Sequence, residues 1–502
     1  MLKILETNKK KIEVANLVFL CIFCIYAILR EVVPIEIYIG SSLLSYAAFA
    51  GCLFFSALNF LSCREYFKTP NSIIFAAFTG ILCVSIIVNK DFAFASNIKA
   101  LLWILVFFFY IYPLGRNMLF NNKKYVKVLF STVVITFTAL MLLSLTTYYF
   151  DVDYTFYKTT GTLTNQGFSN DYIRLWGVFQ EANYGAIYTS AALIMAMYLF
   201  VKTKKLVLRV LLAIASVLFL LFIILSGSRT AQLITSIAVG WIAFYTVFTK
   251  YEAKAIKKAL FSILSCLLSV LLYLCLFAGI KFVLPYTKAA VANMVSPSTY
   301  AAVHKAYDNF YRNGKVNVIE GFYDDATTLP EDTTDPDNTT DPEQNGPGAE
   351  INKLERPDIA NKTDITNGRL RRWIDAFKIF KAAPILGTSP RGISEFAQAH
   401  APDTTMAKYY FSISNIYLEI LVETGIIGFA VLLIIIAKTL LLFFKKTYKG
   451  PFSFGFLTHS TIVLILACSA FLQSDLFFTL SFGGTVFWLA MGYINNKSPQ
   501  NV

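Results

Sequence analysis

Apolar residues fall in runs of about 20 along most of the chain, separated by short polar turns, which is the spacing of helices that cross a bilayer. Runs at 14–29, 39–61, 72–88, 97–114, 128–150, 183–201, 206–225, 230–249, 259–284, 425–444, 453–472 and 475–494 predict about 12 transmembrane helices. Two of them are separated only by residues 226–229. One long polar stretch interrupts the pattern. The chain therefore divides into an N-terminal membrane domain over 1–284, a large loop over 285–412 and a C-terminal membrane domain over 413–502. The fold class is an all-α polytopic membrane protein. No small-residue cleavage site follows the first run, which reads as a retained span.

Lysine and arginine positions set the orientation, because basic residues concentrate in cytoplasmic loops. With the N-terminus inside, the inner segments carry Lys9–Lys11, Lys123, Lys124, Lys127, Lys202, Lys204, Lys205, Lys254, Lys257, Lys258, Lys445, Lys446 and Lys449, among others. The short outer loops carry only Arg30, Lys90, Lys99, Lys158, Arg174 and Arg229. Both termini are then cytoplasmic, and 285–412 lies outside.

Composition agrees with this class: 56% hydrophobic and 15% charged over 502 residues, with a mean hydropathy of +0.58. Much of the net charge of +13 is the inner bias, so it does not point to nucleic acid. Within the outer loop, 324–350 holds nine acidic residues, no basic one, and many Thr and Pro, a composition that predicts disorder. Cys21-x-x-Cys24 lies inside an apolar run with no second pair, and reads as core packing rather than a metal site. Asp151-x-Asp153 has a metal-holding spacing but falls on the outer side, away from nucleotide sugars. No metal and no cofactor is expected.

Four outward patches carry candidate chemistry. "DYIRLWGVFQEANYGA" (171–186) contains Arg174, "SGSRTAQL" (226–233) contains Arg229, and "NGRLRRWIDAFKIFKAAPILGTSPRG" (367–392) contains Arg369, Arg371, Arg372 and Arg391. The third patch predicts an amphipathic helix over about 369–383, with Leu370, Trp373, Ile374, Phe377 and Phe380 at helical spacing. Such a helix can equally lie on the bilayer with snorkelling arginines. The fourth patch, "SISNIYLEILVETGIIGF" (412–429), places Asn415, Glu419 and Glu423 on one helical face over roughly 12 Å. Glutamates there also favour a helix N-terminus. The planar, permanently charged fork of arginine suits phosphate, although a single interfacial arginine is as readily a lipid-headgroup contact.

At these residues the chain resembles the O-antigen ligase/polymerase superfamily, comprising Wzy-type polymerases and WaaL-type ligases. The Ser-Gly-Ser-Arg-Thr junction at 226–230 carries the resemblance, as do the Arg174-x-x-Gly177-x-Phe179…Asn183 turn, the Arg/Trp helix with its Pro384-x-x-Gly387 turn, and the Asn415-x-Tyr417-Leu418-Glu419…Glu423 helix. It covers about 170–250 and 367–430. The spacing Arg174 to Gly185 fits an Arg-x10-Gly pattern, as does Arg229 to Gly240.

The resemblance implies an inverting, GT-C-like glycosyltransferase of the bacterial cytoplasmic membrane, acting on undecaprenyl-diphosphate-linked oligosaccharides without metal or nucleotide sugar. A chain-length regulator and a flippase are further partners it allows. By motif, Arg174 and Arg229 are diphosphate ligands, with Arg372 and Arg391 beside them, and Asn183, Asn415 and Tyr417 shape the pocket. The family has a histidine, a candidate base, where this chain has Ser414. His400, Glu181, Glu419 and Glu423 are the alternatives, and His400 can equally be an ordinary loop histidine. That departure weighs against a ligase more than against a polymerase, so the expected function is a polysaccharide polymerase. Its rivals are a ligase moving finished glycan to another acceptor and a flippase for lipid-linked oligosaccharide.

Overall fold

The computed structural model describes residues 9–312 and 368–496, apart from 41, 63–65, 68, 70, 158–162, 170–172 and 410. The acidic tract 324–350 and Lys158 lie outside the described residues. The helices are α1 (Lys9–Leu29), α2 (Val33–Ile39), α3 (Ser42–Ser62), α4 (Ser72–Val88), α5 (Phe94–Val106), α6 (Lys123–Tyr149), α7 (Ala182–Lys202), α8 (Leu206–Leu225) and α9 (Arg229–Lys250). They continue as α10 (Ala255–Met294), α11 (Pro297–Arg312), α12 (Arg369–Ala382), α13 (Ile393–His400), α14 (Thr405–Tyr409), α15 (Ile416–Lys449), α16 (Phe454–Ser469) and α17 (Phe482–Ile494). π-helical turns carry α5 on to Leu119.

Among the described residues, nine helices are long and apolar enough to cross a membrane, and the shorter apolar helices α4, α16 and α17 occupy the remaining predicted runs. The chain is a mostly helical, polytopic membrane protein. α7 lies at the centre with 78% of its apolar window buried, whereas the window of α10 is 6% buried and faces outward. Some polar side chains inside the bundle pair with one another, which satisfies them where no water competes. Asn16 of α1 and Asn59 of α3 exchange amide hydrogen bonds of 2.9 and 3.0 Å.

Three features differ from the pattern read in the sequence. The segment before α7 is not purely loop: β1 (Asp153–Tyr157), β2 (Leu163–Ser169) and β3 (Arg174–Gly177) form an antiparallel sheet in that order, with Asp153 opposite Gly167 and Ser169 opposite Arg174. The last two predicted runs are parted by an irregular connector, 470–481. It is held because Ser481 donates to Asp475 O at 2.6 Å and Trp488 Nε1 donates to Leu476 O at 3.0 Å. Finally, α15 is broken at Gly425, where φ is 64° and ψ −170°. The predicted run began at that residue; the helical turns before it belong to the polar end of the molecule.

The loops assigned to one side by charge meet one another in space. Val33 N donates to Val178 O at 3.1 Å, Asn89 Nδ2 to Gly387 O at 2.9 Å, and Ile416 N to Ala470 O at 2.9 Å. At the opposite end, Asn496 Nδ2 donates to Arg116 O at 2.8 Å and Lys446 Nζ to Ile494 O at 2.7 Å. At ~1.5 Å per residue, the 40 residues of α10 span about 60 Å, twice a hydrocarbon core. α10 thus carries α11 out of the bundle and back over the end of α6, where Tyr307 Oη donates to Leu143 O at 2.7 Å.

Candidate functional site

The Ser226–Thr230 junction is a helix stop followed at once by a helix start. Gly227 takes φ of 60°, turning the chain out of α8, and Ser228 Oγ accepts from Ala231 N at 3.2 Å to cap α9. Arg229 becomes the first residue of α9 and is exposed. Ser226 O faces the other way and accepts Arg174 Nε at 2.7 Å.

Arg174 is buried, at 7% exposure, and fully occupied by the protein. Besides Ser226, it donates to Asn183 Oδ1 at 2.7 Å, lies 4.0 Å from Glu181 Oε1 and stacks 4.9 Å from the Trp176 ring. Glu181 caps α7 and accepts from Asn183 Nδ2 at 2.9 Å. These contacts fasten the β3–α7 turn to the α8–α9 junction that holds Arg229.

Two further arginines enter from α12. Arg369 follows Gly368 as the first residue of the helix, and Arg372 is one turn on, which puts both on one face. Burial, then the neighbouring Arg229 charge, lowers the Arg369 pKa from its ordinary value, while Glu181 and Tyr184 oppose the shift. Burial and then Arg369 likewise lower Arg372. The Arg369 Nε and the Trp373 Nε1 are buried without a hydrogen-bond partner among the described residues. Arg372 donates to Ser414 Oγ at 2.9 Å, and Ser414 itself holds φ of 55°. Arg229, Arg369 and Arg372 thus form a row of mutually repelling guanidinium groups, with Glu181 beside it. Gathering like charges costs energy that an anion bound between them offsets.

The α12–α15 connection is locked by backbone contact. Gly387, with φ of 72°, packs so closely that a Cβ there would stand 2.3 Å from Glu423 C, and a Cβ on Gly425 would stand 2.2 Å from Ile385 O. Thr388 N and Ser389 N donate to Val422 O and Glu423 O, each at 3.0 Å. Only glycine fits either position, so the Pro-x-x-Gly turn and the break in α15 form one joint. Asn415 caps α15, accepting from Tyr417 N at 3.0 Å and Leu418 N at 3.2 Å. Tyr417 Oη donates to Ala467 O at 2.8 Å, which ties it to α16. Glu419 and Glu423 are buried, and the Glu423 Oε2 has no hydrogen-bond partner among the described residues. Arg391 and Asp475 lie within electrostatic range of Glu419, and Tyr188 Oη donates to Asp475.

His400 ends α13, exposed, with its ring against Phe396 at 4.4 Å and Phe92 at 6.0 Å. Arg391 is held at its backbone by Asn97 Oδ1 (2.7 Å) and donates to Phe478 O at 3.3 Å, facing a cavity shared with α1, α3 and α5. Asp151, half of the Asp-x-Asp pair, is taken up by Lys288 and by Tyr300 Oη at 3.5 Å. Sequence reasoning named Arg369 in its patch without a ligand role, and passed over Asp475 and Tyr188. For Arg369 a signal existed, in its position one turn before Arg372. For the other two there was none, because their pairing joins residues 287 apart in the chain.

The fold is a polytopic helical bundle in which arginines from separate elements converge at one end. Residues 214–433 match the family model Wzy_C, described as O-Antigen ligase, and the match supports the O-antigen ligase/polymerase superfamily. Members of that family are membrane glycosyltransferase-like enzymes, ligases or polymerases. The matched segment contains Arg229, Arg369, Arg372 and the α15 joint; Arg174, Glu181 and Asn183 lie before it and reach it through Ser226. No curated protein matches the chain.

Proposed function

We propose that the protein is a polysaccharide polymerase of the bacterial cytoplasmic membrane. It joins undecaprenyl-diphosphate-linked repeat units on the outer face, for capsule, exopolysaccharide or an O-antigen-type polymer. Both termini are cytoplasmic in this reading, and the α12–α14 layer lies outside. The observation that carries it is the Arg229–Arg369–Arg372 row, drawn from two elements, in which burial first and the neighbouring arginine second lower the pKa values of Arg369 and Arg372. The row would bind the donor diphosphate. A hydroxyl of the acceptor sugar attacks the anomeric carbon from the opposite face, the bond from that carbon to the diphosphate oxygen breaks, and configuration inverts. The arginines stabilise the charge gathering on the departing diphosphate. Glu181 is the carboxylate beside the row and takes the hydroxyl proton; Glu419 and Glu423 are buried nearer Arg391.

Transfer to a different acceptor, as by a ligase, is the second reading, favoured by the family model's description. Ser414 weighs against it, since a serine held by Arg372 lacks the basicity of the family's histidine. The test uses purified full-length protein with lipid-linked repeat units extracted from a host strain lacking it. A ladder of lengthened glycan formed without nucleotide sugar supports the polymerase. Transfer only to a non-identical acceptor supports the ligase, and neither product overturns both.

A further inference from the structure

A cavity of about 460 Å³ opens where the ends of α1, α3 and α5 meet the 470–481 connector. Arg30, Lys99 and Arg391 line it, and among the described residues no carboxylate does; Glu36 stands next to Gly40 at its edge. The Arg30 Nε is buried without a hydrogen-bond partner among the described residues. Lys99 is set over the Tyr46 ring at 5.9 Å, and Arg391 is anchored through Asn97. Tyr46, Phe49, Trp103 and Phe478 form an aromatic part of the remaining wall, and Ser45, Ser96 and Thr479 add hydroxyls. α3, which lines the cavity through Ser45, Tyr46 and Phe49, also turns Leu43, Leu53 and Phe54 outward.

A cationic rim over an aromatic floor, beside an exposed apolar helix face, matches an amphiphile with an anionic head better than a free anion, which has no use for the floor. We infer that this cavity is a second anionic-lipid site, which takes the phosphate-bearing head of a membrane lipid and the first part of its chain. It is built from different elements than the α9–α12 row and does not depend on the polymerase reading. If that reading holds, a lipid-linked acceptor is the occupant that the reaction supplies.

Native mass spectrometry of the full chain, released from detergent, tests this with undecaprenyl phosphate, phosphatidylglycerol and phosphatidylcholine as probes. The wild type is expected to retain two anionic lipids. Arg30→Gln with Lys99→Gln should lose one, with affinity at that site falling about tenfold or more. Arg229→Gln with Arg369→Gln should lose the other. Arg30→Lys with Lys99→Arg should keep both, and Ser45→Trp, which fills the cavity without removing charge, should lose the same one as the first pair. Preference for undecaprenyl phosphate over phosphatidylglycerol identifies the source as a polyprenyl carrier, and the reverse preference a bulk lipid; either supports the site. Equal retention of phosphatidylcholine, or full retention after both the charge and the filling substitutions, overturns it.

Discussion

The two ends of the bundle are both rich in cations, yet the cations are used differently. At the Lys446 end, several are settled one by one: Lys446 on Ile494 O and Asn496 O, Lys127 on Lys202 O, and Lys250 over the Phe452 ring. Those contacts close helix ends and suit a headgroup region. At the Arg229 end, arginines from separate elements approach one another, and two of them have lowered pKa values through burial and mutual repulsion. Charge counts alone set the sidedness of a membrane protein; crowding of like charge marks where an anion is expected.

The largest effect should come from Arg229→Ala with Arg369→Ala. Removing preorganised charge from a leaving group costs about 100-fold or more in rate, read as polymer formed by purified protein. Activity within about threefold of wild type would erase the distinction between the ends. Arg372→Lys keeps the charge but loses the planar fork on Ser414, and should lower the rate about tenfold. If lysine serves as well, Arg372 is only a charge.

Stability should separate the ends as well. Gly425→Ala places a Cβ against Ile385 O in a left-handed backbone, and should cost about 2 kcal/mol, seen as a lower melting temperature in detergent. Gly80→Ala, with open space around it, should not. Lys446→Ala should cost about 1 kcal/mol and leave polymer length unchanged.

The smallest effect concerns pH. Burial pushes the Asp375 carboxyl up, but hydrogen bonds from Thr405 and Lys378 outweigh it, so its folded pKa lies below the ordinary 3.8. Its contribution is therefore present above that value and lost as pH falls through the lower one. Hydrogen exchange at the Thr405 amide should quicken only in that acid window; a change near neutrality would contradict the assignment.

Much of the bundle was legible because span length and apolar pattern are local properties, and the predicted runs correspond to nine long and three short helices. The β1–β3 sheet was not, since its strands are short and mixed with loop residues. Nor was the break at Gly425, which depends on contact with Ile385 across the Pro384–Gly387 turn. The motif arginines could be picked out singly. Their grouping could not, because it rests on pairings such as Arg174 with Ser226 and Asn89 with Gly387, far apart in sequence. The sequence did not show that Arg174 donates to Ser226 O and Asn183 Oδ1, or that Arg369 stands near Arg229.

The most direct test of the central claim is a surface-glycan profile from host cells carrying Arg229→Ala, beside wild type and a deletion strain, with expression matched and lipid-linked intermediates extracted. We predict loss of long polymer with single repeat units accumulating on lipid at the outer face. Chains of normal length, or repeat units trapped on the inner leaflet, would contradict it.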